Sequence, residues 1–287
     1  MRIIKKIISS IWNEFVYGGH LLSLGAMSIV YTSSVLLNIK ITWDFLVIAY
    51  LGTYTPYLYN RYREFNKDFL TNPERTKHIE KYVKYIPIII SFFVLVIIVI
   101  FLYFNKILAL LFALFLLLFS FLYSKYFKEF TKKIFGFKDF FVSLFWSLIV
   151  ILLAIYYSSP LNLALFLMLI FVFLRWVINT STFDIKDIEN DKRDNLITFA
   201  IFLGKRRLIY TLWLLNILSF IPIILGFYLN LYPISSLILL FTIPYAFYFL
   251  KKVEKLENGS DFLYNVIIDG EFILWTIFIR MGKFLIW

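Results

Sequence analysis

Long apolar runs recur along the chain and are separated by short polar joints, which is the pattern of helices that cross a bilayer. About 20 residues of helix span roughly 30 Å of hydrocarbon, and nine runs of that order can be marked: 11–37, 41–60, 85–104, 106–124, 139–157, 161–183, 207–229, 232–250 and 262–282. Several joints are only a few residues long, at Asn105-Lys106, at Ser158-Ser159-Pro160 and between Asn230 and Pro233. The runs are continuous rather than alternating in short segments, so a β-barrel is disfavoured. The expected architecture is an all-α integral membrane protein, a single domain over residues 1–287 built as a nine-transmembrane-helix bundle.

Composition supports this class. Apolar residues make up 61% of the chain and charged residues 16%, with a mean hydropathy of +0.82, far from soluble norms. Arg2, Lys5 and Lys6 precede the first apolar run as in a signal peptide, but Trp12, Glu14 and His20 interrupt that run and no small-x-small cleavage site follows. It is therefore read as the first span. Cysteine is absent, which excludes disulfides and thiolate metal ligands.

Charge changes the picture by giving an orientation. With nine spans, 24 Lys and Arg residues fall on the side of the N-terminus and four on the other. The positive-inside rule then puts the N-terminus in the cytoplasm and the C-terminus outside, and a cell-membrane location is expected. The net charge of +11 is a topology signal and calls for no nucleic-acid partner. Loops on the basic side are long and polar and those opposite are minimal, so chemistry is sought on the cytoplasmic face.

Two acidic clusters end apolar runs on that face: Asn60-x3-Glu64-x3-Asp68 and Asp184-x2-Asp187-x3-Asp191. Intervals of three, four and seven place each set on one helical face. Two acidic faces near a membrane surface suit a divalent cation that carries a phosphate. A solvated acidic loop among basic residues is the plainer account of either cluster taken alone.

The run from Asp184 through Asp191 to Thr198 and Gly204 resembles the second aspartate motif of the UbiA superfamily of intramembrane prenyltransferases. Asn60 to Asp68, followed by Asn72-Pro73-Glu74-Arg75, is similar to the family's first motif, and Tyr123-Ser124-Lys125-x-x-Lys128 to its tyrosine-lysine segment. The layout of motifs after the second and sixth of nine helices matches as well. Two departures stand out: Arg61 occupies a position where the family has an aspartate, and Glu64 replaces another. Gly18-Gly19-His20 also replaces the family's usual first-helix pattern.

The resemblance implies transfer of an isoprenoid group from a prenyl diphosphate donor to a small or lipid-like acceptor, with Mg²⁺. Acceptors in the superfamily include quinone-precursor rings and geranylgeranylglyceryl phosphate. On this reading Asn60, Glu64 and Asp68 hold one ion, and Asp184, Asp187 and Asp191 another, since hard cations take carboxylate, water and phosphate oxygens. Asp184, Asp187, Tyr123 and Lys128 are the expected catalytic residues. Arg75, Lys138, Lys192 and Arg193 are expected charge partners of the diphosphate. The 54 Phe and Tyr residues offer π-faces to an allylic cation. Of the lysines between 125 and 138, one or two are expected at phosphate and the rest at lipid headgroups, with membrane lipids as partners.

A second constellation lies within the spans, where ionisable groups are costly and usually paired or functional. Arg175 is expected to pair with Asp269 or Glu271 beneath the metal site, with His20 nearby, as part of an acceptor pocket; a purely structural ion pair is the equal alternative. Two other functions remain open from the sequence. One is an ion-coupled transporter using these intramembrane charges. The other is a non-catalytic relative in which Arg61 and Glu64 have ended turnover.

Overall fold

The structure, a computed structural model, describes residues 2–256, 260 and 262–285, with the side chains of 2–7, 67, 70, 71, 128 and 285 outside the described set. The described residues form helices joined by short turns. In chain order these are α1 (Arg2–Tyr17), α2 (His20–Leu36), α3 (Trp43–Thr71), α4 (Pro73–Ile79), α5 (Ile86–Tyr103), α6 (Ile107–Lys125), α7 (Phe137–Ser147) and α8 (Ile149–Tyr156). There follow α9 (Leu163–Arg193), α10 (Phe199–Leu218), α11 (Ile221–Tyr228), α12 (Thr242–Lys255) and α13 (Asp269–Leu285). A 3₁₀ segment, Ile234–Phe241, leads into α12, and a π-helical turn, Leu263–Ile268, leads into α13.

Six helical segments among the described residues are long and apolar enough to cross a membrane, or seven if a bent pair counts as one span. Two of the nine expected runs fall short for visible reasons. In α3 the apolar stretch is diluted by Tyr50, Thr53, Tyr54, Thr55, Tyr57 and Tyr59, and α13 begins only at Asp269. The first expected run is not continuous either. The chain bends by 61° between Tyr17 and His20, because Gly19 takes a left-handed φ of 94° and a Cβ there would meet the Tyr57 ring at 2.3 Å. The separate N-terminal helix α1 exposes Ile8, Ile11 and Trp12.

Two helices are unusually long. At 1.5 Å per residue, the 29 residues of α3 and the 31 of α9 extend roughly 44 and 46 Å. Each exceeds the roughly 30 Å hydrocarbon layer by about three turns. Those surplus turns carry the two acidic clusters, so both motifs are helical rather than loop-borne.

Packing gathers the helices around α9 and α2. Helix α7 packs on α9, α13 on α2, α2 on α3, and α10 on α9. At the α2–α13 crossing small residues let the backbones approach: Gly25 sits against Phe272, and Thr276 donates to the Ser28 carbonyl at 3.4 Å. The main apolar core runs through Ile29, Phe45, Ile48, Val150, Met168, Phe171 and Trp275.

Candidate functional site

A cavity of about 510 Å³ opens among α2, α3, α6, α7 and α9. One end is polar, lined by the surplus turns of α3 (Asn60, Arg61, Glu64, Asp68) and of α9 (Asp184, Lys186, Asp187, Asn190, Asp191), with Asp194 beyond them. The other end is apolar and includes Ile97, Ala113, Leu117, Leu152, Trp146 and Trp176. A charged mouth over a greasy interior fits an amphiphile with an anionic head.

The α9 carboxylates are held from α7. Lys138, in the first turn of α7, forms an ion pair with Asp184, which is fully buried. Neighbouring Asp139 is buried too and accepts from Ser181 Oγ at 3.1 Å. Lys138 is aimed by a backbone clasp. Ile197 N donates to the Thr131 carbonyl at 2.8 Å, and Gly136 N donates to the Ile197 carbonyl at 3.0 Å. Gly136 caps α7 with φ 65°, and a Cβ there would strike the Phe199 ring at 2.7 Å. The clasp also explains two residues that sequence alone marks without a role. Thr198 is the N-cap of α10, accepting from Ile201 N at 3.4 Å, and Gly204 (φ 73°, ψ 158°) breaks that helix.

The first cluster is arranged differently. Arg61 Nη1 donates to Asp68 Oδ2 at 2.9 Å, and Arg75 Nη2 reaches the same oxygen at 3.3 Å. Burial, and next to it the Arg61 guanidinium, pull the Arg75 pKa down, though an arginine stays protonated. Asn60 donates to Glu64 Oε2 at 3.3 Å and accepts from Ser124 Oγ at 3.2 Å. Lys186 crosses the mouth to Asn72 Oδ1 at 3.0 Å.

Aromatic rings line the interior. Tyr123 stacks on Phe141 at 4.8 Å between centroids, and Phe141 on Phe145 at 4.4 Å. Trp146 stacks on Trp176 at 3.8 Å, and Trp176 on Phe272 at 4.5 Å. All but Phe272 line the cavity.

The structure thus brings together Asn60, Glu64, Asp68, Arg75, Tyr123, Lys138, Asp184, Asp187, Asp191 and Asp269 on one cavity. Four of the expected residues, Arg175, His20, Lys192 and Arg193, do not line it, and the side chain of a fifth falls outside the description. Arg175 does not line the cavity. It is fully buried and donates through Nε to Glu271 Oε1 at 2.8 Å, and through Nη1 to Asn216 and to Ser219 Oγ at 3.3 Å. Its partner is therefore Glu271, while Asp269 faces the cavity and accepts from Asn179 at 3.1 Å. His20 does not line the cavity and bonds Tyr50 and Glu14, the latter at 3.3 Å; Glu14 also takes a bond from His78 at 2.7 Å. Lys192 and Arg193 point outward from the last turn of α9, to Glu189 and Asn190, each at 3.0 Å. The Lys128 side chain lies outside the described residues. Arg61, Lys186, Asn179 and Asn190 line the cavity without having been singled out as binding residues. Lys186, inside the acidic run, was the readable signal among them.

The carboxylates of α9 suit a hard cation. Asp184 Oδ2 is buried without a hydrogen-bond partner among the described residues, and such an oxygen normally has one. No three carboxylate or imidazole groups among the described residues form a preformed metal cage. Mg²⁺ takes one or two carboxylates and completes its shell with water and phosphate.

The fold and site define a multi-pass helical membrane protein whose acidic-mouthed cavity runs into an apolar, aromatic interior. Over residues 21–267 the chain matches the model of the UbiA prenyltransferase family, and it belongs to that family. Among solved structures it is similar to a UbiA homologue from Aeropyrum pernix K1, at 12% identity and a TM-score of 0.70 over 92% of this chain and 97% of that one. A UbiA homologue from Archaeoglobus fulgidus bound to DMAPP and Mg²⁺ gives 16% identity and a TM-score of 0.65 over 96% and 98%. A digeranylgeranylglyceryl phosphate synthase gives 16% and 0.60 over 96% and 98%. At these identities the likeness is one of fold. No curated protein matches the chain in sequence.

Proposed function

We propose that this protein moves an isoprenoid group from a polyprenyl diphosphate to a lipophilic or ring-bearing acceptor, of the quinone-precursor or geranylgeranylglyceryl phosphate type, with Mg²⁺ held by Asp184, Asp187 and Asp191. The observation that carries this reading is the single cavity with both acidic helix ends at its mouth and stacked aromatic rings within. The related Archaeoglobus fulgidus structures, bound to DMAPP or GPP with Mg²⁺, support it. In this reading the chain crosses the cell membrane nine times with a cytoplasmic N-terminus, as its Lys and Arg distribution suggests, and the surplus turns of α3 and α9 carry the acidic clusters past the hydrocarbon layer.

Mg²⁺ bound there supplies charge neutralisation to the departing diphosphate. Lys138, Arg75, Arg61 and Lys186 add fixed donors around the same head group, where negative charge grows as the allylic C–O bond lengthens. Phe145 and Trp146, at the ends of the ring stacks that line the cavity, offer aromatic surface to the positive charge left on the prenyl carbon, and the stacks with Phe141 and Trp176 keep water from it. Ala113, Leu117 and Leu152 receive the hydrocarbon tail. The acceptor then attacks through carbon or oxygen and loses a proton. Asp269, held by Asn179, is the cavity carboxylate on α13 and lies on the acceptor side in this reading.

The test is diphosphate release by purified protein given geranylgeranyl diphosphate, with and without Mg²⁺, in wild type, Asp184→Asn and Asp191→Asn. Release that requires Mg²⁺ and drops by two or more orders of magnitude in both variants is expected. Absence of release with a screen of lipid and aromatic acceptors overturns the proposal.

A further inference from the structure

We infer that this protein binds its diphosphate substrate with one divalent cation rather than two, and that the Arg61–Arg75 guanidinium pair occupies the role a metal would have at the first acidic motif. The inference rests on the prenyl-transfer reading above and specifies the chemistry of its head-group site.

Three features of the polar mouth carry it. One oxygen of each first-motif carboxylate is already engaged by a cation or an amide: Asp68 Oδ2 takes both Arg61 Nη1 (2.9 Å) and Arg75 Nη2 (3.3 Å), while Glu64 Oε2 takes the Asn60 amide (3.3 Å). A metal at that Asp68 oxygen would have to displace two guanidiniums. Secondly, charge is unevenly divided between the halves of the mouth. On the α3–α4 side Glu64 and Asp68 are matched by Arg61 and Arg75, leaving no net charge to attract a cation. On the α9 side Asp184, Asp187, Asp191 and Asp194 line the mouth with Lys138 and Lys186, and Asp269 lies on the same cavity, so among the described lining residues the acidic excess lies away from the first motif.

Thirdly, the guanidiniums are held but not saturated. Arg61 lies over the Tyr57 ring at 4.7 Å, which fixes its plane. The Nε atoms of Arg61 and Arg75 are buried without hydrogen-bond partners among the described residues. Two arginine forks with unspent donors, lining the cavity and anchored on one Asp68 oxygen, can take a phosphate through those remaining donors while Asp68 keeps them in place. Arginine also presents its donors in a plane that matches two phosphate oxygens, which a lysine cannot do. The Arg61 substitution is then a change of cofactor chemistry and leaves the site competent.

The experiment counts ions. Purified full-length protein in detergent is titrated with Mn²⁺, as a paramagnetic stand-in for Mg²⁺, in the presence of geranylgeranyl thiodiphosphate, which cannot be turned over readily. Bound Mn²⁺ per chain is read by electron paramagnetic resonance, and analogue affinity by calorimetry. One ion per wild-type chain is expected, with loss of that ion in Asp184→Asn. Arg61→Gln is expected to keep the single ion and to weaken the analogue about tenfold or more, and Arg61→Asp to gain a second ion. Two ions per wild-type chain overturn the inference and leave the prenyl-transfer reading intact. No analogue binding with or without Mn²⁺ overturns both. The wild-type count decides the matter even if a variant fails to fold.

Discussion

Replacing Arg175 separates a structural from a substrate-binding role for a fully buried charge in the bundle. Arg175 donates to Glu271, Asn216 and Ser219 and thereby ties α9 to α13 and to the end of α10. Asn216 passes the link to α12 through the Ile243 carbonyl at 3.1 Å. Arg175→Met leaves Glu271, 3% exposed, as a buried carboxylate without its counter-charge. Breaking a buried pair in this way costs about 3–5 kcal/mol. Neutral hydrogen bonds between membrane helices average only about 0.6 kcal/mol, so the charge term dominates the lost bonds to Asn216 and Ser219. The double variant Arg175→Met with Glu271→Leu removes both charges and is expected to recover to within about 1–2 kcal/mol of wild type. Stability is read by reversible unfolding in mixed micelles and site integrity by the affinity for a thiodiphosphate donor analogue. A single variant that unfolds within about 1 kcal/mol of wild type yet loses donor or acceptor binding would refute the structural assignment and return Arg175 to the substrate pocket.

Lys138→Met removes the cation that competes for Asp184 Oδ1; a lower Mg²⁺ concentration for half-activation is expected together with a kcat reduced about 10²-fold, and an unchanged metal response would show that Lys138 does not govern this carboxylate. Ala113→Phe fills the apolar end of the cavity, where Ala113 is 5% exposed; donor preference should move to shorter prenyl chains in a competition assay, at a stability cost of about 1–3 kcal/mol. Gly136→Ala forces a left-handed φ on a residue with a side chain and drives Cβ into Phe199, so a loss of more than about 1 kcal/mol is expected in thermal unfolding, with no loss if the clasp tolerates rearrangement.

How much of this could be read from sequence depends on what fixes a side chain's direction. Apolar run lengths locate most helices, because crossing the hydrocarbon demands them. The spacing of Asp184, Asp187 and Asp191 places the three carboxylates at the mouth of one cavity because helical periodicity alone puts them on one face. Arg175 and Asp269 could not be matched in the same way, since depth in the membrane does not say which neighbour a helix face meets. A partial clue was present. Residues 269 and 271 are about 200° apart on an α-helix, so only one of them can look into a cavity, and it is Asp269. Arg61 read as a defect in a motif until the structure set it beside Arg75 on one oxygen of Asp68, a contact between α3 and α4 that no periodicity encodes. The bend at Gly19 was similarly hidden, because it depends on the Tyr57 ring from another helix.

The backbone clasp between Thr131, Gly136 and Ile197 has a consequence for how the head-group site can change over time. It fastens the connection before α7 to the connection after α9, and these are the segments that deliver Lys138 and terminate the acidic face. The lysine and the carboxylates are thus mounted on one rigid frame, and a length change in either connection would shift both together. The α3–α4 side carries Arg61 and Arg75 on a separate frame. A substitution or length change on α3 or α4 therefore leaves the α7–α9 half in place, with Lys138 and the carboxylates of Asp184, Asp187 and Asp191 still mounted together.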